Sequence, residues 1–374
     1  MIFTASFSLL SLIVSALLMI GGLGSPPAVI HLAFAVGIIP LIFAAMIHFV
    51  PVLTRTGDPS PLIGGLPVPA QLLGLLVPAA MQGWVPYELL YGVATVDLIF
   101  AAILLRWIAS RAHSALGSPH PGWRWYGAAL GCLILAMGSV LSMAIWPLHG
   151  HSLRLFHLHI NTLGLVGLAA LGTLPVLLPT AIGQADPDAA GWLRRRLWPV
   201  AFGALIVAAG AVINWAFATP GVALLLVAAL GLLGQWVRRF GLRTLLEDGV
   251  AASLSAALFG LMLTLTAGLL HGIGLLPARP SIAGWTAGFL LPLVTGALSQ
   301  LWPVWRWPGP TIPARGLMRR QLAASGRWRS ALFIAGAMAV IVGQEGLAGL
   351  FVGMGMILFV IGVIQAVRVP GSTR

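Results

Sequence analysis

The side chains in this sequence best equipped for chemistry are its nine histidines. Neutral imidazole is the common ligand of haem iron, copper and zinc. Other ligand types are scarce. A single cysteine, Cys132, lies within an apolar run, which excludes an internal disulfide and a thiolate cluster. The eight acids lie mostly in loops, which argues against a zinc or calcium site built on carboxylates. The sequence contains no phosphate-binding Gly-Lys-Ser loop, no Gly-x-Ser-x-Gly elbow, no Cys-x-x-Cys and no His-Glu-x-x-His. Metal or cofactor chemistry in this chain therefore falls to histidine.

The elements that must position those histidines follow from composition. Of 374 residues, 59% are apolar and 7% charged, against roughly 45–50% and about 25% in soluble domains. Such a chain is an integral membrane protein. A bilayer-spanning helix needs about 20 apolar residues. Apolar runs between Pro, Gly and charge breaks predict twelve spans, at 4–23, 28–53, 68–86, 89–109, 125–146, 153–178, 197–217, 219–237, 249–275, 281–303, 330–345 and 347–367. The first segment has no positive n-region and no small-residue cleavage site, so it reads as a retained span rather than a signal peptide.

The charge pattern gives an orientation. The net charge of +12 comes from 20 Arg, with no Lys, against 8 acids. Eighteen arginines follow even-numbered spans or lie at the tail, and only Arg154 and Arg279 fall on the other side. That bias predicts cytoplasmic N and C termini. The basic balance is then a topology signal and not a nucleic-acid footprint.

Spans two, six and ten share a pattern. Pro40 and Pro51, Gly164 and Pro175, and Pro292 and Pro303 are each eleven residues apart, and each pair runs into a polar, Pro-rich stretch. The expected fold is therefore all-α, with twelve transmembrane helices as three pseudo-repeats of four in a single membrane domain: 1–110, 125–238 and 249–368.

With that orientation, six histidines gather at the external end: His31, His149, His151, His157, His159 and His271. His48, His113 and His120 fall toward the cytoplasm. Residues two apart on a helix point about 200° from one another, so His157 and His159 do not share a face. His157 lies on the small, polar face of Asn161 and Gly164, and is expected to point into the bundle with Asn161 as its hydrogen-bond partner. Gly164 and Gly167 are expected to leave room for a flat macrocycle. Asp97 is mid-span, nine residues or about 13.5 Å of helix rise from Arg106, too far for a local ion pair. It is either a proton-relay or ion-site group or a neutral, hydrogen-bonded acid. His48 and Gln300 occupy one repeat position and read as structural polar contacts, and Thr264 and Thr266 as satisfying backbone carbonyls.

The segment His157-Leu158-His159-Ile160-Asn161-Thr162-Leu163-Gly164, with its apolar run to Pro179-Thr180, resembles the His-x-His-x-x-x-x-Gly stretch of the NnrS family of haem- and copper-associated membrane proteins. His31, with Pro51 and Thr54-Arg55-Thr56-Gly57, is a fainter echo. The architecture resembles, at a distance, the haem-copper oxidase subunit I superfamily: twelve helices in three arcs of four, with haem-ligating histidines toward the external side. In span six Ile160 replaces the family's acidic residue. No two histidines are adjacent, span seven has none, and span ten has none. The oxygen-reducing, proton-pumping chemistry of the oxidases is therefore not expected.

The resemblance implies a bacterial cytoplasmic membrane protein with a b-type haem, alone or with copper, near the external face. His157 and His31 would ligate it, with His271 or His159 as the next candidates. His149, His151, His157 and His159 are the residues available to a second metal. The implied role is response to nitric oxide or another diatomic gas, or passage of single electrons from a donor. Two rivals stand beside it: a small-solute or metal transporter with an external His entry site, and an assembly or structural subunit of a respiratory complex.

Overall fold

The computed structural model describes residues 1–310 and 312–371, with side chains throughout that range except at 278–281. The side chain of Arg279 and residue Arg374, both used in the orientation count, lie outside the described residues. Every regular element among the described residues is helical, as hydrocarbon demands of backbone that has no water to bond.

Eleven of these helices are long and apolar enough to cross a bilayer, among them Ile2–Ile20, Pro26–Thr54, Pro61–Met81, Leu89–His113, Gly122–Ile145 and Pro147–Ile182. The chain is a multi-pass membrane protein. The expected crossing at 330–345 is the helix Gly326–Ile341, of 16 residues. Its rise of about 24 Å is short of a hydrocarbon core of about 30 Å, so eleven of the twelve expected crossings are long enough among the described residues. The expected span at 197–217 is the helix Ala189–Ile213, which starts two turns earlier because three consecutive arginines do not interrupt a helix.

The chain forms two compact units, Met1–Thr173 with Ala190–Gly221, and Leu174–Ala189 with Val222–Arg374. The middle group of four helices, 125–238, is thus divided between them.

Three helices depart from α geometry, and they are the three that share the eleven-residue motif. π-helical turns occupy Leu32–Ile38, Ile160–Gly167 and Thr286–Leu290. Aligned on Pro40, Gly164 and Pro292, these turns coincide at 36–38, 160–162 and 288–290. A π turn commonly marks a functional position. It also frees carbonyls, and in an apolar medium these must find other donors.

In the first unit the donors are side chains of neighbouring spans. Pro40 has no N–H to offer the Val36 carbonyl. Gln71 Nε2 donates to Val36 O at 2.8 Å and also reaches Ser8 Oγ at 3.1 Å and Thr4 O at 3.3 Å. Ser8 Oγ donates to Gly37 O at 2.8 Å. One buried amide therefore ties the first three spans to the break in the second. Gly74 permits this approach, since a Cβ there would strike the Ala35 carbonyl.

The second unit has a comparable centre. The fully buried Arg329 donates to Leu322 O at 2.6 Å and Ser299 Oγ at 2.9 Å, reaches Ser253 Oγ and Thr295 O, each at 3.3 Å, and lies 4.9 Å from the Phe359 ring. It joins helices Gly249–Gly272, Leu291–Arg306 and Gly326–Ile341. The π turn of this unit is approached so closely that a Cβ on Gly260 would overlap the Gly288 carbonyl. Because that obstacle is backbone, Gly260→Ala is expected to cost about 1–3 kcal/mol. Thermal unfolding in detergent should show a lowered midpoint for Gly260→Ala and no loss for Gly131→Ala, where nothing lies within 4 Å of the new methyl.

Candidate metal centre

His31 ends the α-helical turn that precedes the first π segment, and His157 stands three residues before the second. The widened turns displace the following helix and bring the two imidazoles together from spans two and six, both within the first unit. Their ring centres are 6.3 Å apart with planes inclined by 22°. That is too far for face-to-face contact. That separation would admit a metal ion between the two rings, held by His31 and His157.

The tautomers agree with this. His31 Nδ1 lies 2.7 Å from Pro27 O, and His157 Nδ1 lies 3.1 Å from Ala136 O. A carbonyl only accepts, so each Nδ1 carries the proton and each Nε2 keeps its lone pair. The His157 bond is the more informative. It crosses to span five and so fixes the ring's orientation, as the outer hydrogen bond of a metal-bound histidine does. Asn161 Nδ2 donates to His157 O at 3.0 Å and lies 3.3 Å from His157 Nε2, while Asn161 Oδ1 is buried without a partner.

Both histidines, Asn161, Thr162 and Asp97 line one cavity of about 130 Å³, and the rest of its wall is apolar, including Phe34, Val77, Met81, Val93 and Met137. Asp97 is 6% exposed. Its carboxylate makes no hydrogen bond or ion pair among the described residues. Span four thus contributes a carboxyl group to the lining of the histidine cavity.

The remaining expected site residues are elsewhere. His159, on the other face of span six, bonds Leu155 O through Nδ1 at 2.8 Å and does not line the cavity. His149 lines a separate groove of about 520 Å³ with Trp146, Ser152, Phe156 and Ile213. His151 is exposed. No group of three His, Cys, Asp or Glu suited to a metal occurs among the described residues, so His149, His151, His157 and His159 do not form a second metal set. His271 belongs to the second unit, where it is exposed and bonds Leu276 O at 2.9 Å. His48 packs edge-on against Phe49, and Gln300 accepts from Arg319 Nε at 2.7 Å, as structural contacts do. Thr264 and Thr266 bond carbonyls of their own helix.

The expectation that Gly164 leaves room for a macrocycle is corrected. A Cβ on Gly164 would come within 2.8 Å of Cys132 Cβ and Sγ, so that side of the helix is filled by span five. Gly164 is a packing position that sets how closely span six approaches span five. Gln71 and Thr162 were not anticipated. A mid-span amide was the available signal for Gln71.

No family model, curated protein or solved structure matches this chain. The chemistry of these side chains is what bears on its role.

If the Gly164–Cys132 contact sets the spacing that His157 needs, Gly164→Ala should lower the thermal midpoint, and adding Cys132→Gly should recover much of the loss. A double-mutant cycle reads this directly. Additive effects of the two substitutions would show that the contact does not matter.

Proposed function

We propose that this protein holds a redox metal cofactor between His31 and His157 and passes single electrons within a bacterial cytoplasmic membrane. The cofactor proposed first is a b-type haem, for which the cavity of about 130 Å³ would have to open. The observation that carries this reading is the 6.3 Å imidazole pair with both Nδ1 atoms committed to carbonyls. The donor set fits haem iron: two neutral imidazoles, an orphaned amide oxygen beside one of them, and an otherwise apolar wall.

A bound haem would supply one-electron chemistry. The chain's own residues do the rest. The Ala136 carbonyl orients His157 and makes its Nε2 a stronger donor. Asn161 braces the same ring, and the apolar wall excludes water. Were both His31 and His157 to hold the iron, it would have no ligand site left for a diatomic gas. Electron passage is therefore favoured over capture or sensing of nitric oxide.

One observation favours a second reading. The cavity of about 130 Å³ is below the roughly 300 Å³ at which organic ligand sites begin. A single copper ion between the same two imidazoles would need no more room.

The wider architecture proposed is three four-helix repeats. The coincidence of three π turns with three eleven-residue motifs supports it. The arginine distribution supports cytoplasmic termini, which would turn the His31–His157 site toward the external face.

Oxidised and reduced absorption spectra of the detergent-purified protein, with iron and copper analysis, test the proposal. A Soret band with stoichiometric iron is expected, absent in His31→Ala and His157→Ala and retained in His159→Ala and His271→Ala. Stoichiometric copper with no Soret band would select the second reading. Neither metal in the wild-type protein would end both.

A further inference from the structure

We infer that Asp97 is the counter-charge of the His31–His157 site and sets its redox poise. This inference rests on the reading that a metal cofactor sits there. Three observations carry it. The Asp97 side chain lines the same cavity as both imidazoles. It is 6% exposed on the span Leu89–His113, eight residues into that helix. It has no hydrogen-bond or ion-pair partner among the described residues, and the nearest arginine along its own helix is as far as Arg106.

A carboxylate placed like this is costly. Burial of an ionised group without a partner is among the largest penalties a fold can carry, and acids inside a membrane span mark functional positions. The other polar residues lining the cavity are His31, His157, Asn161 and Thr162. The amide and the hydroxyl are neutral, and a metal-ligating imidazole is neutral too. Two neutral imidazoles add no charge to a metal they bind. Ferric haem then keeps one net positive charge at its centre, as does a cuprous ion. Asp97 is the side chain at this cavity able to balance it.

The consequence is directional. Oxidation removes one electron and adds one positive charge at the metal, and a carboxylate in low-dielectric surroundings stabilises that oxidised state. Replacing the carboxylate by an amide of the same shape removes the stabilisation and leaves the packing. The midpoint potential must rise.

The test is a mediator redox titration of the purified full-length protein, wild type, Asp97→Asn and Asp97→Glu, in one detergent. Asp97→Asn is expected to keep the wild-type spectrum and shift the one-electron equilibrium at least tenfold toward the reduced form, about 59 mV upward. Asp97→Glu, which retains charge, should stay near the wild-type potential. Loss of the cofactor in Asp97→Asn with retention in Asp97→Glu would also support a role for charge. An unchanged potential in Asp97→Asn, an equal shift in both variants, or loss of the cofactor in both, would overturn the inference while leaving the metal site standing. A wild-type protein without cofactor would instead remove the reading on which it rests.

Discussion

The structure depends on one constraint: a carbonyl released from its helix in an apolar medium must find another donor. In water such a group costs little, because solvent replaces the lost bond. In hydrocarbon it does not, and each break in a helix has to be matched by a side chain from a neighbour. The Val36 and Gly37 carbonyls of the first π turn are matched by Gln71 and Ser8. The donors come from spans three and one, so the same bonds that repair the break also hold the bundle together.

That coupling explains why the histidine pair lies where it does. His31 and His157 each stand at the entrance to a π turn. A regular α-helix would carry the chain onward with its side chains 100° apart in strict sequence. The extra residue in each turn rotates the segment before it relative to the segment after it, so the histidine-bearing part of a span and the part beyond the turn satisfy different neighbours. Span six shows the result: Gly164 lies against Cys132, while His157, two turns earlier, reaches the Ala136 carbonyl and His31.

Much of this was legible in the residues, and the parts that were not share a cause. The membrane class, most of the spans and the inward orientation of His157 follow from apolar runs and 3.6-residue periodicity, which describe α-helices well. The pairing of His157 with His31, rather than His159, follows from the same periodicity, because the face shared with Asn161 begins before the π turn. Periodicity fails where the helix is not α. It placed Gly164 where a flat macrocycle was expected, whereas the turn at Ile160–Gly167 directs it to span five. The shared spacing of Pro40 and Pro51 with Pro292 and Pro303 was a sign of such breaks, since a proline on a helix must release a carbonyl. It did not say which residues would answer. Gln71 reads as an isolated polar residue in an apolar run and Arg329 as one of a cluster of cytoplasmic arginines, and only three-dimensional packing reveals the carbonyls they serve.

The polar residues of the histidine cavity differ from those two in what they line. Gln71 and Arg329 donate to carbonyls and hydroxyls that join spans, although Gln71 Oε1 and Arg329 Nε are themselves buried without a partner. Asn161 and Asp97 line the cavity of the two imidazoles, Asn161 with its Oδ1 unpartnered. Structural polar groups in hydrocarbon are selected to be satisfied, because an unsatisfied one is a standing cost with nothing to offset it. A cavity lined by two imidazoles, an amide and a carboxyl in an otherwise apolar wall is where a partner that is not protein would offset that cost.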